Sequence, residues 1–174
     1  MSDLDEFRKE KDEFFRTDHH SPLAHEQTHD FSGLEYFPEN PDLVVVSELQ
    51  PHAEGGEVTM ETSTGEAQVY DRAGVIHFNV DGEPAQVTLY RPRGENNFFL
   101  PFRDALSGTE TYGAGRYLEV DLPHNGHVVV DFNYAYNPSC AYNPVYSCPL
   151  PPRENWLKVP IRAGEKNFPG AEPH

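Results

Sequence analysis

Seven short apolar runs between residues 43 and 133, separated by turn signals, restrict this chain more than any other feature. They are LVVVSEL (43–49), GEVTMETS (56–63), AQVYDRAGVIHFNV (67–80), AQVTLYRP (85–92), NFFLPFRD (97–104), GRYLEVDL (115–122) and HVVVDFN (127–133). Their β-branched and aromatic residues favour extended backbone, where bulky side chains pack on a pleated surface. HAEGG, STGE, VDGEP, RGENN and PHNG lie between them and carry the Gly, Pro, Asn and Asp that tight turns need. The 67–80 run is predicted to break at Ala73-Gly74, which makes about eight strands. Links this short join antiparallel neighbours into a meander. A meander must hide its edge strands. The predicted fold is therefore all-β, an antiparallel up-and-down barrel-like sheet, with a β-sandwich as the alternative.

Around this sheet the chain divides into four stretches of one domain, 1–174. Residues 2–16 read as a helix, with Leu4, Phe7, Phe14 and Phe15 sharing a face and Lys11 between them. Ser2 is the expected N-cap, and Asp3, Asp5 and Glu6 place negative charge where the helix dipole favours it. Residues 17–41 form a connector, 42–133 hold the strands, and 134–167 read as an ordered loop with a terminal strand. The last residues, NFPGAEPH, read as a frayed tail.

Net charge is −16, which disfavours nucleic acid and anionic membranes as partners, since both reward Lys and Arg. The apolar runs fall short of the ~18 residues that a membrane span needs. The N-terminus is charged and lacks the apolar centre of a secretion signal, so the expected location is cytoplasmic. The nine Arg, four Lys and abundant acids also suit high salt, where screening relieves self-repulsion.

Two segments concentrate unusual residues. DFNYAYNPSCAYNPVYSCPLPPRENWLKVPIRAGEKN (131–167) holds both cysteines, the single tryptophan and six of the sixteen prolines. Such a composition excludes a helix and points to an ordered loop that directs side chains to set places. Cys140 and Cys148 are too widely spaced for a structural zinc pair and read as packed thiols. FRDALSGTETYGAGRYLEVD (102–121) flanks a Gly-rich turn with Arg103 and Arg116, which suits an anion held by guanidinium and backbone N–H groups. It lacks the Lys-Ser/Thr ending of a phosphate loop. A third motif, His25-Glu26-Gln27-Thr28-His29, matches H-E-x-x-H, but Pro22 and Gly33 crowd it and no apolar stripe carries it, so no metal site is assigned.

These strings resemble an uncharacterised family, the domain of unknown function family 1684. The resemblance is carried by FRDALSGTETYGAGRYL (102–118), DFNYAYNPSCAY (131–142), CPLPPREN (148–155) and KVPIRAGEK (158–166), with SPL (21–23) and FSGLEYFP (31–38) upstream. No activity is attached to that family, so the resemblance implies positions rather than a reaction. From the first string it implies Arg103, Asp104, Ser107, Gly108, Thr109, Thr111, Tyr112, Gly113, Gly115, Arg116 and Tyr117. From the others it implies Asp131, Asn133, Tyr136, Asn137, Pro138, Cys140, Cys148, Glu154, Asn155, Gly164, Glu165 and Lys166.

Three readings of these residues follow. The first is a small-molecule binding protein for an anionic ligand, using Arg103, Asp104, Thr109, Tyr112, Arg116, Asp131, Asn133, Tyr136, Asn137, Cys140, Glu154, Asn155, Glu165 and Lys166. The second is a hydrolase or lyase, with Asp104, Asp131, Glu154 or Glu165 as acid or base and Cys140 or Tyr112 as nucleophile or proton donor. The third is a buried polar network that pins the long loop, because a loop with few ladder hydrogen bonds must satisfy its backbone from side chains. The ligand-binding reading is preferred. The cofactor and the oligomeric state are left open.

Overall fold

A computed structural model of the protein describes residues 3–18, 21–23, 33–143 and 146–168. Helix α1 (Asp3–Thr17) precedes strands β1 (Val44–Glu48), β2 (Glu57–Glu61), β3 (Ala67–Val80), β4 (Glu83–Pro92), β5 (Asn97–Phe102), β6 (Arg116–Asp121) and β7 (His127–Asp131). The expected N-cap Ser2, the His25–His29 motif and the tail beyond Phe168 lie outside the described residues. Strands β2 to β6 form an antiparallel meander in chain order, and β7 returns to pair antiparallel with β1. The helix-plus-antiparallel-sheet reading holds. The strands make two sheets rather than a closed barrel.

The tight links behave as their residues dictate. Asp81-Gly82 (φ 51° and 84°) and Asn125-Gly126 (φ 53° and 79°) both hold the paired left-handed conformations of a two-residue hairpin turn. The expected break at Ala73-Gly74 does not occur. A bulge between Arg72 and Gly74 absorbs the extra residue and β3 continues. Gly74 (φ 157°) is needed there, because a Cβ would sit 2.6 Å from the Gln50 carbonyl. That close approach lets Gln50 and Val75 exchange backbone hydrogen bonds of 2.9 and 2.7 Å, which stitch the chain after β1 to β3.

The meander is covered on both faces. On one, Ile76, Phe78, Val87, Leu89, Leu100, Phe102, Leu118 and Val120 pack with Val128, Val130 and Phe132 from the β7 side. On the other, Met60, Tyr70, Tyr90, Phe99 and Tyr117 pack under Tyr112, Cys140, Ala141 and Cys148. Burial of both faces explains the unbroken buried runs Val87–Tyr90 and Phe98–Phe102, where a half-exposed strand would alternate. The Pro-rich segment thus lies on a sheet face. The terminal strand expected within 134–167 is absent among the described residues. The segment instead makes isolated bridges, with 3-10 turns at Phe132–Tyr134, Ser139–Ala141 and Arg153–Asn155. Its prolines cannot donate to a ladder.

Helix α1 buries Leu4 and Phe15, eleven residues or close to three turns apart, so they lie on one line. Phe7 and Phe14, expected on the same face, stand on its shoulders at 37% and 40% exposure. Phe15 meets Tyr142 edge to face at 4.9 Å, and Phe7 meets Tyr134 at 5.0 Å. Among the described residues no helix is long and apolar enough to cross a membrane.

Candidate functional site

Two of the expected anion-binding residues sit in the core. Arg116 opens β6 and is 1% exposed, and Asp104, just past β5, is 7% exposed. The Arg116 guanidinium donates to the carbonyls of Ala163, Glu165 (3.1 Å) and Ile161 (2.8 Å), and reaches Asp104 Oδ2 at 3.4 Å. Asp104 Oδ2 also accepts from the Ile161 N–H at 2.7 Å, and Oδ1 from Ser107 Oγ at 3.2 Å. Burial lowers the Arg116 pKa, while Asp104 and Glu165 pull it back up. The pair therefore holds residues 161–165 against the sheet.

Glu165, 1% exposed, is the second buried charge. Its Oε2 accepts from Lys11 Nζ (3.0 Å) and the Asn137 N–H (2.7 Å), and its Oε1 from the Tyr142 hydroxyl (2.8 Å). Three distant parts of the chain, α1, the Pro-rich loop and the C-terminal segment, thus converge on one carboxylate. Asn137 donates from Nδ2 to the Lys166 carbonyl at 3.0 Å. Burial pushes the Tyr142 hydroxyl well above its usual range, and Glu165 adds to this.

Other expected residues are spent locally. Asp131 accepts from the N–H of Asn133 (3.0 Å) and from its Nδ2 (2.9 Å), and Asn133 exchanges two hydrogen bonds with the Asn40 backbone. Asn155, fully buried, bonds both backbone groups of Thr88 and the Pro101 carbonyl. Thr109 bonds back to Leu106, Lys166 Nζ lies 5.3 Å from the centre of the Phe37 ring, and Tyr136 bonds Glu119. Cys140 and Cys148 are buried free thiols, with the Cys140 N–H 3.4 Å from Cys148 Sγ and the Tyr112 hydroxyl 3.6 Å from Cys140 Sγ. The hydrogen bond with Cys140, followed by burial, pushes the Cys148 thiol upward, away from a reactive thiolate. His124 lies in the turn before β7 and His127 opens that strand, both exposed. Among the described residues no group of three or more His, Cys, Asp or Glu could hold a metal ion.

Two candidates face cavities: Tyr136 lines a shallow groove of about 460 Å³ with Lys11 and Glu119, and Glu154 lines a second cavity. The 3-10 turn Arg153–Asn155 sets Glu154 beside β3 and β4, with its side chain 24% exposed. Glu154 Oε1 accepts from Arg72 Nε (3.1 Å) and the Tyr90 hydroxyl, and Oε2 accepts from His52 Nε2 (2.9 Å). His52 Nδ1 accepts from the backbone N–H groups of Glu54 (3.0 Å) and Gly55 (3.2 Å), so the proton stands on Nε2. Burial alone would raise the Glu154 pKa, but the hydrogen bonds from Tyr90, His52 and Arg72 outweigh it and the net shift is downward. Burial, and then Glu154, raise Tyr90 above its usual value. Above this cluster lies a cleft of about 330 Å³ walled by Gln50, His52, Glu54, His77, Gln86 and Glu154, with Pro51, Ala53 and Val75 as apolar lining. His77 and Gln86 are cross-strand partners.

Sequence reasoning singled out Glu154 and missed His52, Arg72 and Tyr90. His52 lies in a stretch read only as a turn, and Arg72 and Tyr90 lie in strands. No spacing rule links positions 52, 72, 90 and 154, because the fold alone makes them neighbours.

The family described as "Protein of unknown function (DUF1684)" matches residues 29–166. No curated protein matches the chain. A solution NMR structure of an uncharacterized protein of Haloarcula marismortui is similar over 94% of this chain and 91% of its own, at 38% identity with a TM-score of 0.72.

Proposed function

We propose, for a chain that belongs to the DUF1684 family, that it binds a small polar ligand in the cleft above Glu154. The observation that carries this reading is a carboxylate held by three donors yet still a quarter open to a cavity of about 330 Å³. Ligand sites combine a concave wall with a few convergent polar groups. Here His52 and Arg72 hold Glu154 from the loop and strand sides, while His77 and Gln86 present polar ends from the sheet. Glu154 Oε2 accepts one side-chain donor, His52, and a carboxylate oxygen has room for a second. The ligand is accordingly one that donates hydrogen bonds, such as an amine or a polyol, and a field of −16 favours the cationic form.

The anionic ligand expected from Arg103 and Arg116 loses Arg116 as a carrier, since that guanidinium is turned to backbone carbonyls. The hydrolase or lyase reading also weakens at Glu154, because a carboxylate tied by three donors and shifted downward suits an acceptor better than a proton shuttle. The single-domain, cytoplasmic and high-salt readings stay part of this proposal.

The test is a thermal-shift and NMR titration with primary amines, amino acids and polyols, and with acetate as the opposite-charge arm. A stabilising amine or polyol whose effect falls in His77→Ala and Gln86→Ala supports the cleft. Both residues are exposed, so the variants keep the fold. Undiminished binding in both variants, or a response to acetate alone, overturns it.

A further inference from the structure

We propose that Trp156, Arg103 and Arg153 form a second site, separate from the Glu154 cleft, that recognises a small oxyanion, a carboxylate or a phosphate. Trp156 is 45% exposed. The Arg103 guanidinium carbon lies 4.5 Å from its ring centre and that of Arg153 lies 5.5 Å away, so two cations share one indole.

Most of the chain's other arginines are paired with acids; Arg91 donates instead to the Glu95 carbonyl, and Arg8 lies over the Tyr36 ring. Arg16, Arg72, Arg93, Arg116 and Arg162 each meet a carboxylate. In a chain with 29 acidic residues against 13 basic ones, such a partner is easy to find. Arg103 and Arg153 have no ion pair and no side-chain hydrogen bond among the described residues. A guanidinium lying on an indole keeps its N–H edge for an acceptor in its own plane, the geometry that carboxylate and phosphate complete with two parallel bonds.

The platform is also held in place before any ligand arrives. The Trp156 indole N–H donates to the Pro151 carbonyl at 2.9 Å. The Arg103 backbone is bracketed by the Asn155 carbonyl (3.0 Å) and the Leu157 N–H (2.8 Å). Gly115 leaves room for the Arg103 stem, since a Cβ there would come within 3.1 Å of Arg103 Cγ and 2.5 Å of the Phe102 carbonyl. The indole and the Arg103 backbone, fixed by neighbouring backbone groups, leave little ordering to be done there on binding.

Trp156 is the only tryptophan, so its fluorescence reports on this site alone. The wild-type chain is titrated with inorganic phosphate and with benzoate, at ionic strength held constant with sodium chloride. The expected result is a saturable change with one of them, with half-saturation raised about tenfold in Arg153→Gln and in Arg103→Gln. Arg153 is exposed, so its variant keeps the fold even if Arg103→Gln does not. A phosphate response without benzoate assigns a phosphate ligand, and the reverse assigns a carboxylate. A response no different from chloride, or an unchanged curve in Arg153→Gln, overturns the proposal. Gln86→Ala, in the other cleft, leaves the curve unaltered and so separates this site from that one.

Discussion

Asn155→Ala is expected to destabilise the fold by about 3–5 kcal/mol, because its amide does the work of a missing stretch of strand. Strands β4 and β5 share a single register pair, Tyr90 with Phe99. At Thr88, two positions before that pair, neither backbone group can turn to β3, since the facing residue Val75 is engaged with Gln50. Asn155 serves both groups: Oδ1 accepts from the Thr88 N–H at 2.8 Å, and Nδ2 donates to the Thr88 and Pro101 carbonyls at 2.9 Å each. Truncation leaves one buried N–H and two buried carbonyls without this partner, at about 1–3 kcal/mol apiece, and relaxation recovers part of the sum. Total stability for a domain is roughly 5–15 kcal/mol, so the loss is large and shows as a midpoint lower by about 10 °C. Asn155→Asp separates hydrogen bonding from volume. It keeps the Thr88 N–H acceptor but turns an anionic oxygen toward two carbonyls, so at neutral pH it is at least as damaging as alanine. Acidification restores one O–H donor and narrows its deficit. Urea unfolding followed by circular dichroism measures all three. A loss below about 1 kcal/mol in Asn155→Ala, or an Asp variant as stable as wild type, would refute this account.

Gly164 (φ 79°) sits where a Cβ would lie 2.6 Å from the Ala135 carbonyl, so Gly164→Ala is expected to lose more than about 2 kcal/mol in the same assay, from left-handed strain plus the clash. Glu154 has a folded-state pKa below its ordinary value, so its contribution is present above the unfolded pKa of about 4.3 and lost as pH falls through the folded one. Stability measured on acidification must therefore fall less steeply in Glu154→Gln than in wild type, and parallel curves would contradict the hydrogen-bonded cluster. Tyr90, Tyr117, Tyr136 and Tyr142 all have raised folded-state pKa values, burial being the largest cause. Their contribution is full below about pH 10 and lost above it, so tyrosinate absorbance is expected to rise together with unfolding. The charge of −16 predicts a midpoint that climbs with sodium chloride and drops on dialysis into low salt; a salt-independent midpoint removes the high-salt reading.

Local chemistry carried much of the fold. The strand runs, the Asp-Gly and Asn-Gly turns and α1 all rest on period, propensity and backbone freedom within a few residues, and they stand where those signals put them. Gly74 shows the limit. As a glycine inside a strand it read as a break, yet its lack of a Cβ serves an approach by Gln50, a contact that only the folded chain brings about. The Pro-rich segment shows the same limit, since its composition marked it as ordered but not as the cover of a second sheet face.

For the site, the residue types were legible and their use was not. Arg103, Arg116, Glu154, Asn155 and Glu165 carry chemistry that any reader of the sequence can name, and the charge, the antiparallel class and the odd segment at 131–167 followed from the residues themselves. Tertiary structure decided which groups meet backbone and which meet solvent. It spent Arg116 and Glu165 on the carbonyls, N–H groups and ions of distant segments, left Glu154 at a cleft with His52, Arg72 and Tyr90, and set Arg103 and Arg153 beside an exposed Trp156. The reason is physical. A charged side chain binds whatever acceptor or donor lies within about 3 Å, and along a chain folded by contacts between residues far apart in sequence, neighbours at that range are set by packing.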